Sequence, residues 1–334
     1  MPLHSLGDLH RMAQAGDGVA MTDLAARLLE ADDAAFAPEE GVAWLEKAAA
    51  ADNPEALCML ATLRAGGAWT HFDLPEAIDL LRRSAEGGSE DACAQLLLLS
   101  DDAELAAHIR IAGIRNENWG RLSESVNLQA WMTPGRPRQV SEIPRVWIAE
   151  KFASRQFCDW LIGRAIGKFR PAMMRDATTG VSHALDSRTC SDFVFDIFAG
   201  GVALLLLRMK ISVITSIPVS HMEPPQIFHY GIGEEIKPHH DFLFDGEHGY
   251  GHAGRYQGDR LATFLLYLNE GYEGGEIEFP RIGYRHRGRT GDCIFFASQR
   301  DGKPDPMSLH GAAKVTLGEK YILSQWIHNQ PFAA

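Results

Sequence analysis

The sequence predicts an α+β protein in two parts: an α-helical repeat domain over residues 1–100, then a β-rich domain of sandwich or barrel type over 146–334, joined by a linker over 101–145. Three observations lead there. Alanines recur at an interval of 36, with Ala13, Ala49 and Ala85 in one series and Ala20, Ala56 and Ala92 in another, which is the spacing of stacked helical hairpins. Beyond Val146, short runs of β-branched and aromatic residues alternate with Gly, Pro and Asp, the pattern of many short strands. The length of 334 residues exceeds what one hydrophobic core of about 250–300 residues usually serves.

Within the first part, two units match in kind. Trp44-Leu45-Glu46-Lys47-Ala48-Ala49 corresponds to Leu80-Leu81-Arg82-Arg83-Ser84-Ala85, and Asp52-Asn53-Pro54-Glu55-Ala56 to Gly88-Ser89-Glu90-Asp91-Ala92. Small alanines let paired helices approach closely. The pattern resembles Sel1-like repeats, relatives of tetratricopeptide repeats, in about three copies. Such an array is expected to cap the following domain, or to dock a protein partner. Helical signal fades from Asp101, and Pro134-Gly135-Arg136-Pro137 marks the linker. Two helix-like segments follow, Ser154 to Gly167 and Phe195 to Ser216. Strands are then expected at Gln226–Tyr230, Ala262–Leu268, Gly275–Phe279, Asp292–Phe296 and Lys320–Ile327.

Composition excludes several classes. Lys plus Arg number 32 against 44 Asp plus Glu, a net charge of −12 that disfavours nucleic acid and anionic membranes as partners. The five cysteines, Cys58, Cys93, Cys158, Cys190 and Cys293, contain no C-x-x-C and are odd in number, so neither a disulfide framework nor a thiolate zinc site is expected. The run Val202–Leu207 falls short of the about 20 residues that span a bilayer, and the start of the chain lacks the apolar core of a signal peptide. A cytoplasmic protein is expected.

The chemistry concentrates around Pro238-His239-His240-Asp241. Residues two apart on a strand project to one face, so His239 and Asp241 can converge on one metal. Ser308-Leu309-His310 offers a third ligand 71 positions after His239. Two imidazoles and one carboxylate form the facial set that suits Fe(II) and leaves positions open for other ligands. Along Lys320-Tyr-Ile322-Leu-Ser324-Gln-Trp326 the alternate residues share a face, which places an ammonium at one end of an apolar stripe. A barrel-facing lysine needs an anion, such as the far carboxylate of a dicarboxylate whose other end sits on the metal. Thr263, Leu265 and Tyr267 also share a face, offering two hydroxyls to the same anion. His240 should point away from the metal. Five glycines lie between Gly246 and Gly258, read as a mobile loop holding His248 and His252 beside the site, as a lid or a solvated turn.

Read in order, these motifs carry a resemblance. Arg-Thr-Cys at 188–190, Tyr230 nine before His239, Pro-His-His-Asp at 238–241, Arg260-Leu-Ala-Thr263 running into Tyr267-Leu-Asn, Gly274-Gly275-Glu-Ile-Glu-Phe279-Pro, Gly291-Asp292, Ser308-Leu-His310 and Gly318-Glu-Lys320 with Trp326 together make the chain from Val146 to Ile327 resemble the prolyl 4-hydroxylase branch of the Fe(II)/2-oxoglutarate dioxygenases. The resemblance implies a double-stranded β-helix (jelly-roll or cupin-like) holding Fe(II) through His239, Asp241 and His310, with Lys320 on the far carboxylate of 2-oxoglutarate. It places Tyr230, Thr263 and Tyr267 as further cosubstrate contacts, Arg260 at the substrate and Trp326 in the pocket wall. O2 is the oxidant, 2-oxoglutarate becomes succinate and CO2, and ascorbate is the expected supporting reductant. One departure bears on substrate: Ile236 stands where peptide-acting relatives usually carry tyrosine. The expectation therefore leans to a free cyclic amino acid, proline or pipecolic acid. The alternatives are a prolyl residue in a protein docked by the repeats, and a non-catalytic repeat adaptor.

Overall fold

The computed structural model describes residues 4–30, 35–112, 118–175, 182–184, 188–242 and 258–332. The chain forms two compact units, one of Met1–Met132 with Ile197–Arg208 and Ala334, the other of Thr133–Asp196 with Met209–Ala333.

In the first unit the helices are α1 (Leu6–Gln14), α2 (Gly18–Leu28), α3 (Pro38–Ala50), α4 (Pro54–Gly66), α5 (Leu74–Glu86), α6 (Glu90–Leu99), α7 (Ala103–Ala112), α8 (Trp119–Glu124) and α9 (Leu128–Met132). Polar side chains start them: Asp17, Asn53 and Asp73 accept backbone N–H groups of the first turns of α2, α4 and α5, each worth about 1 kcal/mol. The six alanines spaced at 36 are all buried, none more than 4% exposed. The repeat read from the sequence is therefore a packing repeat, in which a missing side chain lets neighbouring helices close on one another. The stretch 101–145 holds α7, α8 and α9 and then the first strand.

The second unit runs β1 (Arg138–Glu142), β2 (Arg145–Ala149), α10 (Arg155–Ala165), β3 (Arg170–Pro171), β4 (Met173–Arg175), β5 (Ser182–Ala184), β6 (Ser191–Val194), then α11 (Gly201–Thr215), which begins in residues grouped with the first unit. It continues with β7 (Gln226–Tyr230), β8 (Ile236–His239), β9 (Arg260–Tyr267), β10 (Glu273–Gly274), β11 (Ile277–Phe279), β12 (Tyr284–His286), β13 (Cys293–Ala297), β14 (Gln299–Arg300), β15 (Lys303–Pro304), β16 (His310–Ala312), β17 (Val315–Leu317) and β18 (Lys320–His328). Helix α11 starts at Gly201, where φ is +54°, rather than at Phe195. A backbone turned into the left-handed region cannot continue a helix from upstream.

An eight-stranded sheet in the order β1-β2-β13-β9-β18-β7-β6-β3 and a four-stranded sheet in the order β12-β11-β16-β8 are built from antiparallel pairs. One core joins them: Phe228, Ile294, Phe296, Ile322 and Trp326 from the large sheet pack with Ile236, Ile277 and Phe279 from the small one. This is the double-stranded β-helix. All five cysteines are buried and none forms a disulfide. Among the described residues no helix is long and apolar enough to cross a membrane. His248, His252 and the glycine-rich loop, except Gly258, lie outside the described residues.

Candidate active site

Strand pairing brings the three candidate ligands together. His239 ends β8 and His310 opens β16, and the two are register partners across that pair. Such an approach needs a gap in the side-chain layer. A Cβ on Gly311 would stand 2.7 Å from the Ile236 carbonyl oxygen, so glycine beside His310 lets β16 close on β8. Asp241 follows two residues after His239, and its carboxylate oxygens lie 3.5 Å from Nε2 of His239 and 3.4 Å from Nε2 of His310. All three ligand atoms fall within 4.8 Å of one another.

The histidines are oriented alike. Nδ1 of His239 hydrogen-bonds the Lys237 carbonyl at 3.0 Å, and Nδ1 of His310 the Ser308 carbonyl at 3.0 Å. Each Nδ1 thus carries the proton, and each Nε2 presents a lone pair toward Asp241, the arrangement that fixes ring and tautomer in metal sites. Burial chiefly lowers the His310 pKa, to about 4, which keeps the imidazole neutral. Burial works against ionisation of Asp241, while the charge of Arg260 and the Thr263 hydroxyl favour its carboxylate. Two neutral nitrogens and a carboxylate, with no thiolate, make a set matched to Fe(II). His240 stacks on Phe242, with ring centroids 4.6 Å apart, and is not part of the cluster.

The cavity beside this cluster is lined by Tyr230, Thr263, Leu265, Lys320, Ile322, Ser324 and Trp326, among others. The stripe expected along β18 faces it as a whole. Lys320 opposes Tyr230 across the β18–β7 pair, which lays its ammonium 4.7 Å above the phenol ring. Lys320 is 1% exposed. Its Nζ donates to the Gly275 carbonyl at 2.7 Å, and no carboxylate of the described residues forms an ion pair with it. Gly275, at φ +67°, leaves room for the lysine stem, since a Cβ there would stand 3.1 Å from Lys320 Cδ. Burial draws the lysine pKa down to about 8. A buried cation facing a cavity without a counter-charge fits an anionic ligand.

Three of the residues expected to contact ligands have partners within the protein. Thr263 donates its hydroxyl to Asp241 Oδ2 at 2.6 Å rather than offering it to an anion; its strand position brings the hydroxyl closer to the carboxylate than to Lys320. Tyr267 shares that face but lies further along, beside β12, where its hydroxyl reaches the His286 carbonyl at 3.4 Å and does not line the cavity. Arg260, expected at substrate, spends Nε and Nη2 on Glu223 at 2.6 and 3.0 Å and lies 3.9 Å over the Trp326 ring. Burial opposes ionisation of Glu223, but Arg260 and His328 outweigh it and bring its pKa to about 2. His328 Nε2 stands 2.7 Å from the same carboxylate. Trp326 is in the wall as expected, with its buried Nε1 making no hydrogen bond.

Sequence reasoning missed Glu223 and His328, and it gave no role to Arg188 of the Arg-Thr-Cys motif, which lines the cavity. His328 had a signal, since it extends the alternation Lys320 to Trp326 by one more step. Glu223 sits in a proline-bounded bend outside any periodic run, and only its three-dimensional partners reveal it.

Comparison with known proteins agrees with this geometry. The model of the 2OG-Fe(II) oxygenase superfamily matches residues 225–328. Probable prolyl 4-hydroxylase 6 of Arabidopsis thaliana is 33% identical over 224 residues, covering 60% of this chain and 74% of that protein. Probable prolyl 4-hydroxylase 7 of the same plant is 31% identical, covering 60% and 67%. Among solved structures, the viral collagen prolyl hydroxylase of Paramecium Bursaria Chlorella virus-1 aligns over 55% of this chain and 94% of its own, at 24% identity and a TM-score of 0.42. A Sel1 repeat protein from Oxalobacter formigenes aligns over 36% and 98%, at 25% identity and a TM-score of 0.30. By its motif order, its fold and its identity to these plant relatives, the chain belongs to the prolyl 4-hydroxylase-like group of the 2OG-Fe(II) oxygenase superfamily and is a 2-oxoglutarate-dependent dioxygenase, of a family that uses Fe(II), 2-oxoglutarate and O2.

Proposed function

We propose that the chain hydroxylates proline within a polypeptide, with His239, Asp241 and His310 holding Fe(II) and Lys320 holding the distal carboxylate of 2-oxoglutarate. The observation that carries this is a neutral-nitrogen and carboxylate triad sharing one cavity with a buried, uncompensated lysine. Iron and 2-oxoglutarate, when bound, supply the oxidising power from O2. The protein's own groups do the rest by position. The Lys237 and Ser308 carbonyls fix both imidazoles, and Thr263 fixes Oδ2 of Asp241. Ile236, Ile277, Leu265 and Ile322 keep the cavity dry and aim an unactivated C–H at the metal position.

The relatives favour a polypeptide substrate over the free cyclic amino acid to which Ile236 points, because those compared above are prolyl 4-hydroxylases. Ile236 lines the cavity, so a wider or more apolar wall receives the ring, and the repeats supply a place for the rest of the polypeptide. Asp241→Ala should abolish succinate release coupled to a prolyl peptide while the chain stays folded; full coupled activity in that variant overturns the assignment.

A further inference from the structure

The helical repeats carry two features that no core packing uses. Phe36 and Phe72 stand 36 residues apart, one repeat period, each two residues before the first residue of its helix, α3 or α5. Both rings lie at the surface, 39% and 57% exposed. Trp69, in the connection that leads to Phe72, meets Phe36 edge to face with centroids 5.9 Å apart. The buried faces of these helices are built without them, from Val42, Leu45 and Ala48 in α3 and from Ala77, Ile78 and Leu81 in α5. Equivalent positions in consecutive repeats thus present aromatic rings on one edge.

The second feature is charge. Residues 1–100 contain 17 Asp and Glu against 6 Lys and Arg, so −11 of the total −12 resides there. Acidic side chains follow the exposed rings directly, Glu39 and Glu40 after Phe36, Asp73 and Glu76 after Phe72. Aromatic faces and carboxylates select the same chemistry, a cationic side chain with an aliphatic stem. The unit already shows this pairing within itself, with Lys47 Nζ 4.2 Å over the Trp44 ring. A second copy of the chain would bring a like-charged face to this edge.

We infer that the edge bearing Phe36, Trp69 and Phe72 docks an extended, Lys- and Arg-rich polypeptide segment. The inference deepens the reading of the chain as a hydroxylase of polypeptides, and rests on it, by naming a feature of the substrate apart from its proline. Docking raises the local concentration of a weakly held proline without any new contact at the site.

The test uses the full chain and a fluorescein-labelled Lys/Arg-rich peptide that contains no proline, read by fluorescence anisotropy. The expected result is saturable binding that weakens with salt, and about tenfold weaker binding in the double variant Phe36→Ala, Phe72→Ala, from two lost cation–ring contacts. Thermal unfolding of both proteins is recorded, and binding is compared at a temperature where both are folded. Equal affinity in the double variant, no binding to the unaltered chain, equal binding of a Glu-rich peptide, or loss of binding through self-association at this edge would each overturn the inference. A short neutral prolyl peptide, assayed for succinate in parallel, reports on the hydroxylase reading alone. Its turnover should be the same in both proteins, and its absence in the unaltered chain counts against that reading while the anisotropy decides the docking edge.

Discussion

Lys320→Met separates what the lysine costs the fold from what it contributes to the site. Lys320 is 1% exposed, and burial brings its pKa from 10.5 to about 8. A displacement of that size sets about 3 kcal/mol against the charged form. Methionine keeps a flexible stem and removes the charge. Against the gain stand the lost hydrogen bond to Gly275, about 1 kcal/mol, and the lost contact with the Tyr230 ring, about 0.5–1 kcal/mol. The net expectation is a protein about 1–2 kcal/mol more stable at pH 7 in the absence of 2-oxoglutarate. Because the folded pKa lies below the unfolded one, the cost of the charge is complete below pH about 8 and fades as pH rises toward 10.5. The stability difference should therefore shrink over that window. Affinity for 2-oxoglutarate should fall roughly a hundredfold, since the charge-assisted bond to the distal carboxylate is gone. Thermal unfolding between pH 7 and 10 reads the first effect, and calorimetric titration of 2-oxoglutarate with Mn(II) in place of iron reads the second. A methionine variant that is less stable at pH 7, or that binds 2-oxoglutarate undiminished, refutes the reasoning.

Other variants probe the supports around the cavity. Thr263→Val removes the 2.6 Å donor to Asp241 and should weaken Mn(II) or Co(II) binding about tenfold; unchanged affinity would reduce Thr263 to packing. Glu223→Gln leaves Arg260 and His328 without their buried carboxylate and should cost about 3 kcal/mol in urea unfolding, with a loss under about 1 kcal/mol contradicting a structural ion network. Gly311→Ala places a methyl 2.7 Å from the Ile236 carbonyl; it should cost about 2 kcal/mol and weaken metal binding by parting His310 from His239, and wild-type metal affinity would show that the approach of β16 to β8 tolerates a side chain.

What the sequence made legible followed from periodicity. An interval of 36 located buried alanines, and two-residue alternation placed Lys320, Ile322, Ser324 and Trp326 on one cavity wall. His239 and Asp241 are local, and His310 entered through an ordered motif. The same alternation put Thr263 and Tyr267 on one face, yet the first meets Asp241 and the second β12. It fixes which face a side chain leaves from, while the distance to Asp241 or to β12 depends on strand register and sheet closure, which no local pattern encodes. Arg260 shows a similar limit. Its guanidinium is drawn into the network of Glu223 and His328, and Glu223 lies 37 residues away in the chain.

The most direct test of the central claim incubates the chain with Fe(II), 2-oxoglutarate, ascorbate and air against a panel of proline-containing peptides, free L-proline and L-pipecolate, and follows succinate together with the mass of each product. The account predicts that a prolyl peptide gains one oxygen in step with succinate, while the free imino acids give only slow, uncoupled succinate. Coupled hydroxylation of free proline or pipecolate, with every peptide left unchanged, would contradict it.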